Sequence, residues 1–229
     1  MNRGWIPWTL LLLAAALATS GHNAGAEPLA AEKKEPPVGS LLGVGCLLVA
    51  GDNITMPPFT KSVVLLTNYG QDGAVGLIIN RPTRYSLSSA LPEIQGLVGS
   101  GKKLYFGGPV SRNIMAVLLE SDKDLRKIDG VSRVFGNIYF AVNKKVIHRA
   151  LTGKVKPARG FAGYAGWAPG QLERELARGD WSVKTANSET VFSQFPNTLW
   201  NKFHNGGMDG LWTYNGSQIT HSPEYPGFF

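Results

Sequence analysis

The fold class is decided by one stretch of the chain, Ser62-Val-Val-Leu-Leu-Thr-Asn-Tyr-Gly-Gln-Asp-Gly-Ala-Val-Gly-Leu-Ile-Ile-Asn-Arg-Pro82. Residues 62–69 and 74–80 are apolar runs with the length and composition of buried strands. The four residues between them, 70–73, begin and end in glycine, which favours a turn. The stretch therefore predicts an antiparallel hairpin over residues 62–80.

Other segments predict a mixture of strands and helices. Residues 45–50 are a short apolar run, typical of a buried strand. A helix is predicted over 169–178, because Pro169 suits a first helical position and Gly179 suits a helix end. Further strands are predicted near 103–107, 114–120, 136–142, 181–186 and 189–193, and further helices over 144–151 and 196–205.

Composition places the chain among globular proteins. It has 229 residues, of which 43% are hydrophobic and 17% are charged, enough for one packed domain. The single cysteine, Cys46, excludes an intramolecular disulfide and a cysteine-cluster metal site. Its apolar neighbours indicate a buried side chain instead of a reactive thiol. No motif indicates a cofactor.

The N-terminus has the pattern of a secretory signal peptide. Arg3 precedes an apolar run over residues 5–17, and small residues follow it up to Ala26. The run is shorter than the roughly 20 residues that span a bilayer. We predict cleavage after Ala26 and a periplasmic or secreted protein without a membrane span; an uncleaved N-terminal anchor is the alternative. The predicted organisation is a signal peptide over 1–26, a flexible tether rich in proline and charge over 27–39, a domain over 40–205 and a C-terminal tail over 206–229.

Motifs for known chemistry are incomplete. The segment Gly96-Leu-Val-Gly-Ser-Gly-Lys-Lys103 is close to a phosphate-binding loop. It has lysine where a magnesium-binding hydroxyl is needed, and a strand-like run follows where a helix is needed. We therefore predict no nucleotide hydrolysis. His148, His204 and His221 lie in unrelated segments, so a hydrolase that brings Ser, His and Asp together through the fold is an alternative without a sequence signal.

Positive charge concentrates in one segment of the chain. Residues 144–159 contain six basic residues and no acid. Such a segment can contact the phosphates of nucleic acid or lipid. A solvated face of a mildly basic protein is the alternative that we favour. The six residues are Lys144, Lys145, Arg149, Lys154, Lys156 and Arg159.

Three blocks of sequence resemble the YqgE/AlgH family in their order and spacing. They are residues 62–82, Phe106-Gly-Gly-Pro-Val110, and Phe161-Ala-Gly-Tyr-Ala-Gly-Trp-Ala-Pro-Gly-Gln-Leu-Glu-Arg-Glu-Leu176. The resemblance covers residues 40–205 and implies an α+β fold, a single domain with a flattened, partly closed β-barrel-like sheet surrounded by helices. It implies no reaction, cofactor or catalytic residue. The chain departs from the family pattern at Tyr69, where histidine is common.

The resemblance also implies an alternative function. Family members have been labelled transcriptional regulators, which implies a cytoplasmic protein that binds nucleic acid. An exported protein does not meet chromosomal DNA, so the signal peptide and the regulator label are incompatible. We favour export, and nucleic acid is then not expected as a partner.

Seven residues in the three blocks are candidates for ligand binding. Asn80 and Arg81 end a strand with an amide and a guanidinium, and a guanidinium binds carboxylate or phosphate. An ion pair of Arg81 with Glu173 or Glu175 is the alternative.

The other five candidates are glycines, aromatics and one amide. Gly107 and Gly108 allow close approach of a ligand to the backbone, or simply a tight turn. Tyr164 and Trp167 precede a predicted helix N-terminus and Gln171 lies in its first turn, where free N–H groups favour an anion. Core packing is the alternative for the two aromatics. With no nucleophile or metal set, we predict non-enzymatic binding of a small anion or a protein partner.

Overall fold

The structure of the chain is a computed structural model that describes residues 42–153, 156–205, 212–215 and 218–221. Its strands are β1 (Cys46–Ala50), β2 (Val63–Gly70), β3 (Gly73–Ile78), β4 (Pro82–Ser86), β5 (Lys103–Phe106), β6 (Val110–Glu120), β7 (Val131–Phe135), β8 (Ile138–Ala141), β9 (Ala158–Trp167), β10 (Trp181–Thr185), β11 (Trp212–Asn215) and β12 (Gln218–His221). Its helices are α1 (Leu87–Ala90), α2 (Lys144–Thr152), α3 (Gln171–Ala177), α4 (Ser188–Val191) and α5 (Leu199–Asn205), with 3-10 turns at Gln95–Leu97 and Pro196–Thr198. The predicted signal peptide 1–26 and tether 27–39 lie outside the described residues, as does most of the predicted tail 206–229.

Ten strands form one curled, mostly antiparallel sheet. Its order is β10-β1-β2-β3-β9-β6-β8-β7, and β4 pairs with β5, which runs parallel to β9. Strands β11 and β12 form a separate antiparallel pair. The sheet is an antiparallel half-barrel with several helices, so the α+β single-domain prediction is confirmed.

The decisive hairpin forms as predicted. Strand β2 pairs with β3 in antiparallel register from Val64 opposite Ile78 to Gly70 opposite Gly73. The register shifts between Leu66 and Asn68, which marks a bulge in β2. The predicted strand at 45–50 is also present as β1, paired on one side with β2 and on the other with β10.

The predicted strand at 189–193 is wrong. Residues Ser188–Val191 form α4, because the Asn187 side chain caps the helix by accepting a hydrogen bond from the Thr190 N–H at 2.8 Å. An asparagine cap satisfies an N–H group that a helix otherwise leaves without a partner. This local hydrogen bond outweighs the β-preference of Thr190 and Val191.

Strand β9 was not predicted from the sequence, although it lies at the centre of the sheet. It pairs with β3, β5 and β6. Glycine is unfavourable in strands, so the sequence pattern did not indicate a strand in a segment that contains Gly160, Gly163 and Gly166. The structure shows why Gly163 is there: its φ is +69°, and a Cβ would lie 2.5 Å from the Gly108 carbonyl oxygen.

The predicted helix at 169–178 is present but starts later. Helix α3 begins at Gln171, and Gly170 is its N-cap with φ +70°. Pro169 therefore lies before the helix and not at its first position. The predicted helices at 144–151 and 196–205 correspond to α2 and to a 3-10 turn followed by α5.

The sheet separates two hydrophobic cores. Along β6, Leu118 joins the core that also contains α3 and α5, whereas its neighbours Val117 and Leu119 join the core against α2. This alternation is the period of two that a strand imposes. Both faces of β6 are therefore buried over residues 116–119, as an apolar run without alternation requires.

The Cys46 thiol is buried in β1, as predicted, and desolvation raises its pKa to about 11. We expect a thiol-reactive reagent at pH 8 to leave the native protein unmodified, because only about one thiol in a thousand is ionised there. Unfolding in guanidinium chloride should release one reactive thiol per chain. Native labelling as fast as that of free cysteine would contradict the burial of Cys46.

Candidate functional site

The loop before β2 is fastened to the end of β3 by Asn80. This side chain is only 6% exposed. Its Oδ1 accepts a hydrogen bond from the Val63 N–H at 2.9 Å, and its Nδ2 donates to the Lys61 carbonyl at 2.9 Å. The amide of Asn80 thus uses a donor and an acceptor within the fold, and its role is to position the loop at Lys61.

Arg81, the next residue, fastens the same loop with its guanidinium. Its Nη2 donates to the Thr60 carbonyl. Its Nε is buried without a hydrogen-bond partner, and so is Oγ1 of Thr60. Burial lowers the pKa of the Arg81 side chain, because desolvation disfavours the charged form.

No acidic residue in the described part of the chain pairs with Arg81. The alternative that it binds Glu173 or Glu175 is wrong, since both carboxylates bond other groups. Glu173 accepts a hydrogen bond from the Tyr69 hydroxyl at 2.7 Å, and Glu175 accepts from two tryptophans and a glutamine. Tyr69 at a position where histidine is common therefore has a structural role in this chain.

A groove of about 650 Å³, the Arg81 groove, opens beside these residues. Two basic residues, Lys61 and Arg81, line it, and no acidic residue does. The Lys61 backbone is in the left-handed region, with φ +54°, a costly conformation for a residue with a side chain. Its ammonium lies 5.2 Å from the centre of the Trp200 ring. The groove is lined by Pro57, Pro58, Thr60, Lys61, Asn80, Arg81, Pro82, Thr83, Phe106 and Asn197.

Glu175 holds a cluster of aromatic side chains together. Its Oε2 accepts hydrogen bonds from the indole N–H groups of Trp167 and Trp181, both at 2.8 Å. Its Oε1 accepts from Nε2 of Gln171 at 2.8 Å. Oε1 of Gln171 also accepts a hydrogen bond from the Ala168 N–H at 3.1 Å, which connects the start of α3 to the residues before it. Every polar side-chain atom of this cluster is therefore used inside the protein.

The aromatic cluster contacts the chain segment that lines the Arg81 groove. The Phe59 ring packs on Trp181, with ring centres 5.9 Å apart at 83°, and on Trp167 at 6.4 Å. Phe59 directly precedes Thr60 and Lys61, so the cluster fixes the segment that forms one wall of the groove. Trp167 and Gln171 act on the groove through Phe59, without lining it.

Gly107 and Gly108 allow the chain after β5 to pass close to the backbone of β9. Gly107 donates its N–H to the Ala162 carbonyl and accepts from the Ile78 N–H, both at 2.9 Å. A Cβ on Gly107 would lie 2.2 Å from the Gly163 carbonyl oxygen, and one on Gly108 would lie 2.1 Å from the Tyr164 carbonyl carbon. The two glycines thus meet β9 itself, and Tyr164 is half-buried against the first core.

Among the seven candidates, the structure brings Asn80 and Arg81 into one groove. Trp167 and Gln171 support it, while Gly107, Gly108 and Tyr164 lie at the crossing with β9. Sequence reasoning missed Thr60 and Lys61, although the prolines at 57 and 58 were a signal for an irregular loop there.

Two of the six basic residues of segment 144–159 have partners within the fold. Lys156 pairs with Asp122 at 3.2 Å and lies 3.7 Å from Glu120. The Arg159 guanidinium donates to the Val191 and Ser193 carbonyls and lies 4.7 Å from the Tyr105 ring centre. Lys154 lies outside the described residues. The segment resembling a phosphate-binding loop is also structural, since Lys102 donates to the Leu151 and Gly153 carbonyls at the end of α2.

Neither a metal-binding cluster nor a membrane-spanning helix is present in the described residues. They contain no group of three or more His, Cys, Asp or Glu side chains placed to hold a metal ion. No helix among them is both long and apolar enough to cross a membrane.

The fold defines a class, the α+β proteins built on a curled antiparallel half-barrel sheet with several helices. A family model described as AlgH-like, DUF179, matches residues 47–207. The chain belongs to this family. A UPF0301 protein of Nocardia farcinica is 36% identical over 158 residues, 68% of this chain and 73% of the relative.

Other relatives agree on the family and the fold. A UPF0301 protein of Chlorobaculum tepidum is 32% identical over 190 residues, 82% of this chain and 96% of the relative. The solution structure of AlgH from Pseudomonas aeruginosa covers 75% of this chain and 89% of its own, with a TM-score of 0.60 and 24% identity. That similarity concerns the fold alone.

Proposed function

We propose that this protein is an exported, non-enzymatic binder of a small carboxylate or phosphate anion, held in the Arg81 groove. One observation carries the proposal: Arg81 is a part-buried guanidinium that bonds only a backbone carbonyl and has no acidic partner among the described residues. A guanidinium taken out of water without an anion is costly. A bound anion would recover that cost through charge-assisted hydrogen bonds.

The surroundings of Arg81 support an anion over a cation or an apolar ligand. Lys61 adds a second basic residue to the lining of the groove, and no acidic residue lines it. The backbone strain at Lys61 is of the kind that is kept at binding sites. Asn80 and the aromatic cluster hold the groove wall in place, so little ordering is needed on binding.

The proposal is tested by thermal melting with phosphate, acetate and succinate at constant ionic strength. A ligand at about a hundredfold its Kd should raise the melting temperature by about 5 to 10 °C. Arg81→Gln should abolish this shift, and Arg84→Gln, an exposed arginine on β4, should keep it. If none of the three anions shifts the parent protein, or if Arg81→Gln melts with the same shift as the parent, the proposal fails.

Lys61→Asn is a second variant that tests the groove if the Arg81→Gln protein does not fold. Asparagine tolerates the left-handed backbone region better than lysine, so the substitution relieves backbone strain at position 61. The substitution also removes the contact between the lysine ammonium and the Trp200 ring. Because these two effects oppose each other, we expect a free energy of unfolding within about 0.5 kcal/mol of the parent. Chemical denaturation measures that stability, and anion affinity should fall at least about tenfold in the same variant. Unchanged affinity would show that Lys61 does not face the anion.

Export is the other part of the proposal, and it rests on the pattern of residues 1–26. Cells are fractionated and the intact mass of the native protein is measured in each fraction. We expect a species that begins at Glu27 in the periplasm or the medium. A full-length species in the cytoplasm would overturn export and favour the nucleic-acid-binding alternative.

A further inference from the structure

A second cavity, of about 590 Å³, lies away from the Arg81 groove and shares no lining residue with it. We propose that this cavity binds a small zwitterion with an apolar side chain, the chemistry of an apolar amino acid. Its volume is within the range of about 300 to 1,000 Å³ that small-molecule sites occupy. This proposal is independent of the anion proposed at Arg81.

Three parts of the chain form most of the walls of this cavity. Helix α2 contributes Lys144, Ile147 and His148, which lie on one helix face because they are three and four positions apart. The segment after α1 contributes Leu91 and Glu93. Strand β6 contributes the third wall, over residues 113–115.

The third wall exists because β6 departs from regular pairing. Val110 pairs with Tyr164 and Met115 with Ala162, so four residues of β6 lie opposite the single residue Gly163. This bulge turns Ile114 outward, and its side chain is 45% exposed although apolar. Val142, also in the lining, is 41% exposed. The cavity therefore presents an apolar surface to solvent that a ligand side chain would cover.

Residues of opposite charge line this cavity without forming an ion pair with each other. Glu93 and Lys144 both line the cavity, yet neither forms an ion pair with the other or with any other residue in the described ranges. His148 adds a ring N–H on the same face as Lys144. A ligand with a single charge would match one of these groups and oppose the other.

A zwitterion matches both. Its carboxylate would accept from Lys144 and His148, its ammonium would donate to Glu93, and its side chain would lie against Ile114 and Val142. The polar contacts at the two charged ends would fix the orientation of the ligand, while the contact of its apolar side chain would supply most of the affinity.

Titration calorimetry of the purified protein tests this with three related probes. They are L-leucine, 4-methylpentanoate, which lacks the ammonium, and 3-methylbutylamine, which lacks the carboxylate. We expect leucine to bind at least about tenfold more tightly than either analogue. The absence of saturable leucine binding, or an analogue that binds as tightly as leucine, would overturn the proposal.

Variants assign the binding to this cavity. Glu93→Gln should reduce leucine affinity to that of 4-methylpentanoate, and Lys144→Gln should reduce it to that of 3-methylbutylamine. Lys145→Gln is the matched control, because Lys145 is the next residue of α2 and does not line the cavity. Leucine affinity that survives both Glu93→Gln and Lys144→Gln would place the leucine elsewhere and overturn the assignment.

Discussion

Replacing Glu175 with alanine is expected to lower the free energy of unfolding by about 3 to 5 kcal/mol. The carboxylate accepts hydrogen bonds from Trp167, Trp181 and Gln171, and both indoles are buried. Alanine would leave the N–H groups of two buried indoles without an acceptor, and each such group costs about 1 to 3 kcal/mol. Chemical denaturation followed by tryptophan fluorescence measures the change.

Two variants on the same helix calibrate that result. Glu175→Gln keeps the volume and one acceptor oxygen, so we expect a loss of about half the alanine value. Glu173→Ala removes a single hydrogen bond from Tyr69 and should cost about 1 kcal/mol. If Glu175→Ala cost no more than Glu173→Ala, the carboxylate would not hold the aromatic cluster.

Replacing Gly108 with alanine is expected to destabilise the protein by more than about 3 kcal/mol, or to prevent folding. The added Cβ would lie 2.1 Å from the Tyr164 carbonyl carbon and 2.3 Å from the Ala165 nitrogen, so the clash is with the backbone of β9. A backbone clash cannot be relieved by a rotamer change. Yield of folded protein and its melting temperature measure the effect.

Gly70→Ala is the control for a glycine in the same sheet. Gly70 ends β2, and a Cβ there would meet no atom within 4 Å. We expect a change within about 0.5 kcal/mol of the parent. A Gly108→Ala protein as stable as Gly70→Ala would mean that β9 does not approach the 107–108 segment as closely as the structure has it.

The sequence predicted the elements that local signals define. The hairpin at 62–80 has two apolar runs and a glycine turn, and both strands and the turn are present. Strand β9 was not predictable in this way, because the reason for its glycines is a neighbouring strand that is distant in the sequence. The strand prediction at 189–193 is wrong for the opposite reason. A local hydrogen bond, the helix cap at Asn187, outweighs the β-propensity of the segment.

The candidate site was predictable in part for the same reason. Arg81 could be selected because its guanidinium is a chemical group that binds carboxylate or phosphate. Thr60 and Lys61 could not be recognised, since only the folded chain brings them beside Arg81 and reveals the strained backbone at Lys61. The hydrogen bond between Gln171 and Glu175 could have been predicted from the sequence, because the two residues are four positions apart on one helix.

The central claim is that an anion binds the Arg81 guanidinium, and its Nε–H resonance reports this most directly. We would record nitrogen–proton spectra of the arginine side chains during titration with phosphate, acetate or succinate. Loss of one signal in Arg81→Lys assigns the resonance, and Arg84→Lys assigns an exposed control. The account predicts a saturable shift of the Arg81 signal with at least one anion while the Arg84 signal stays unchanged. An Arg81 signal that does not move, or that moves no more than the Arg84 signal, would contradict it.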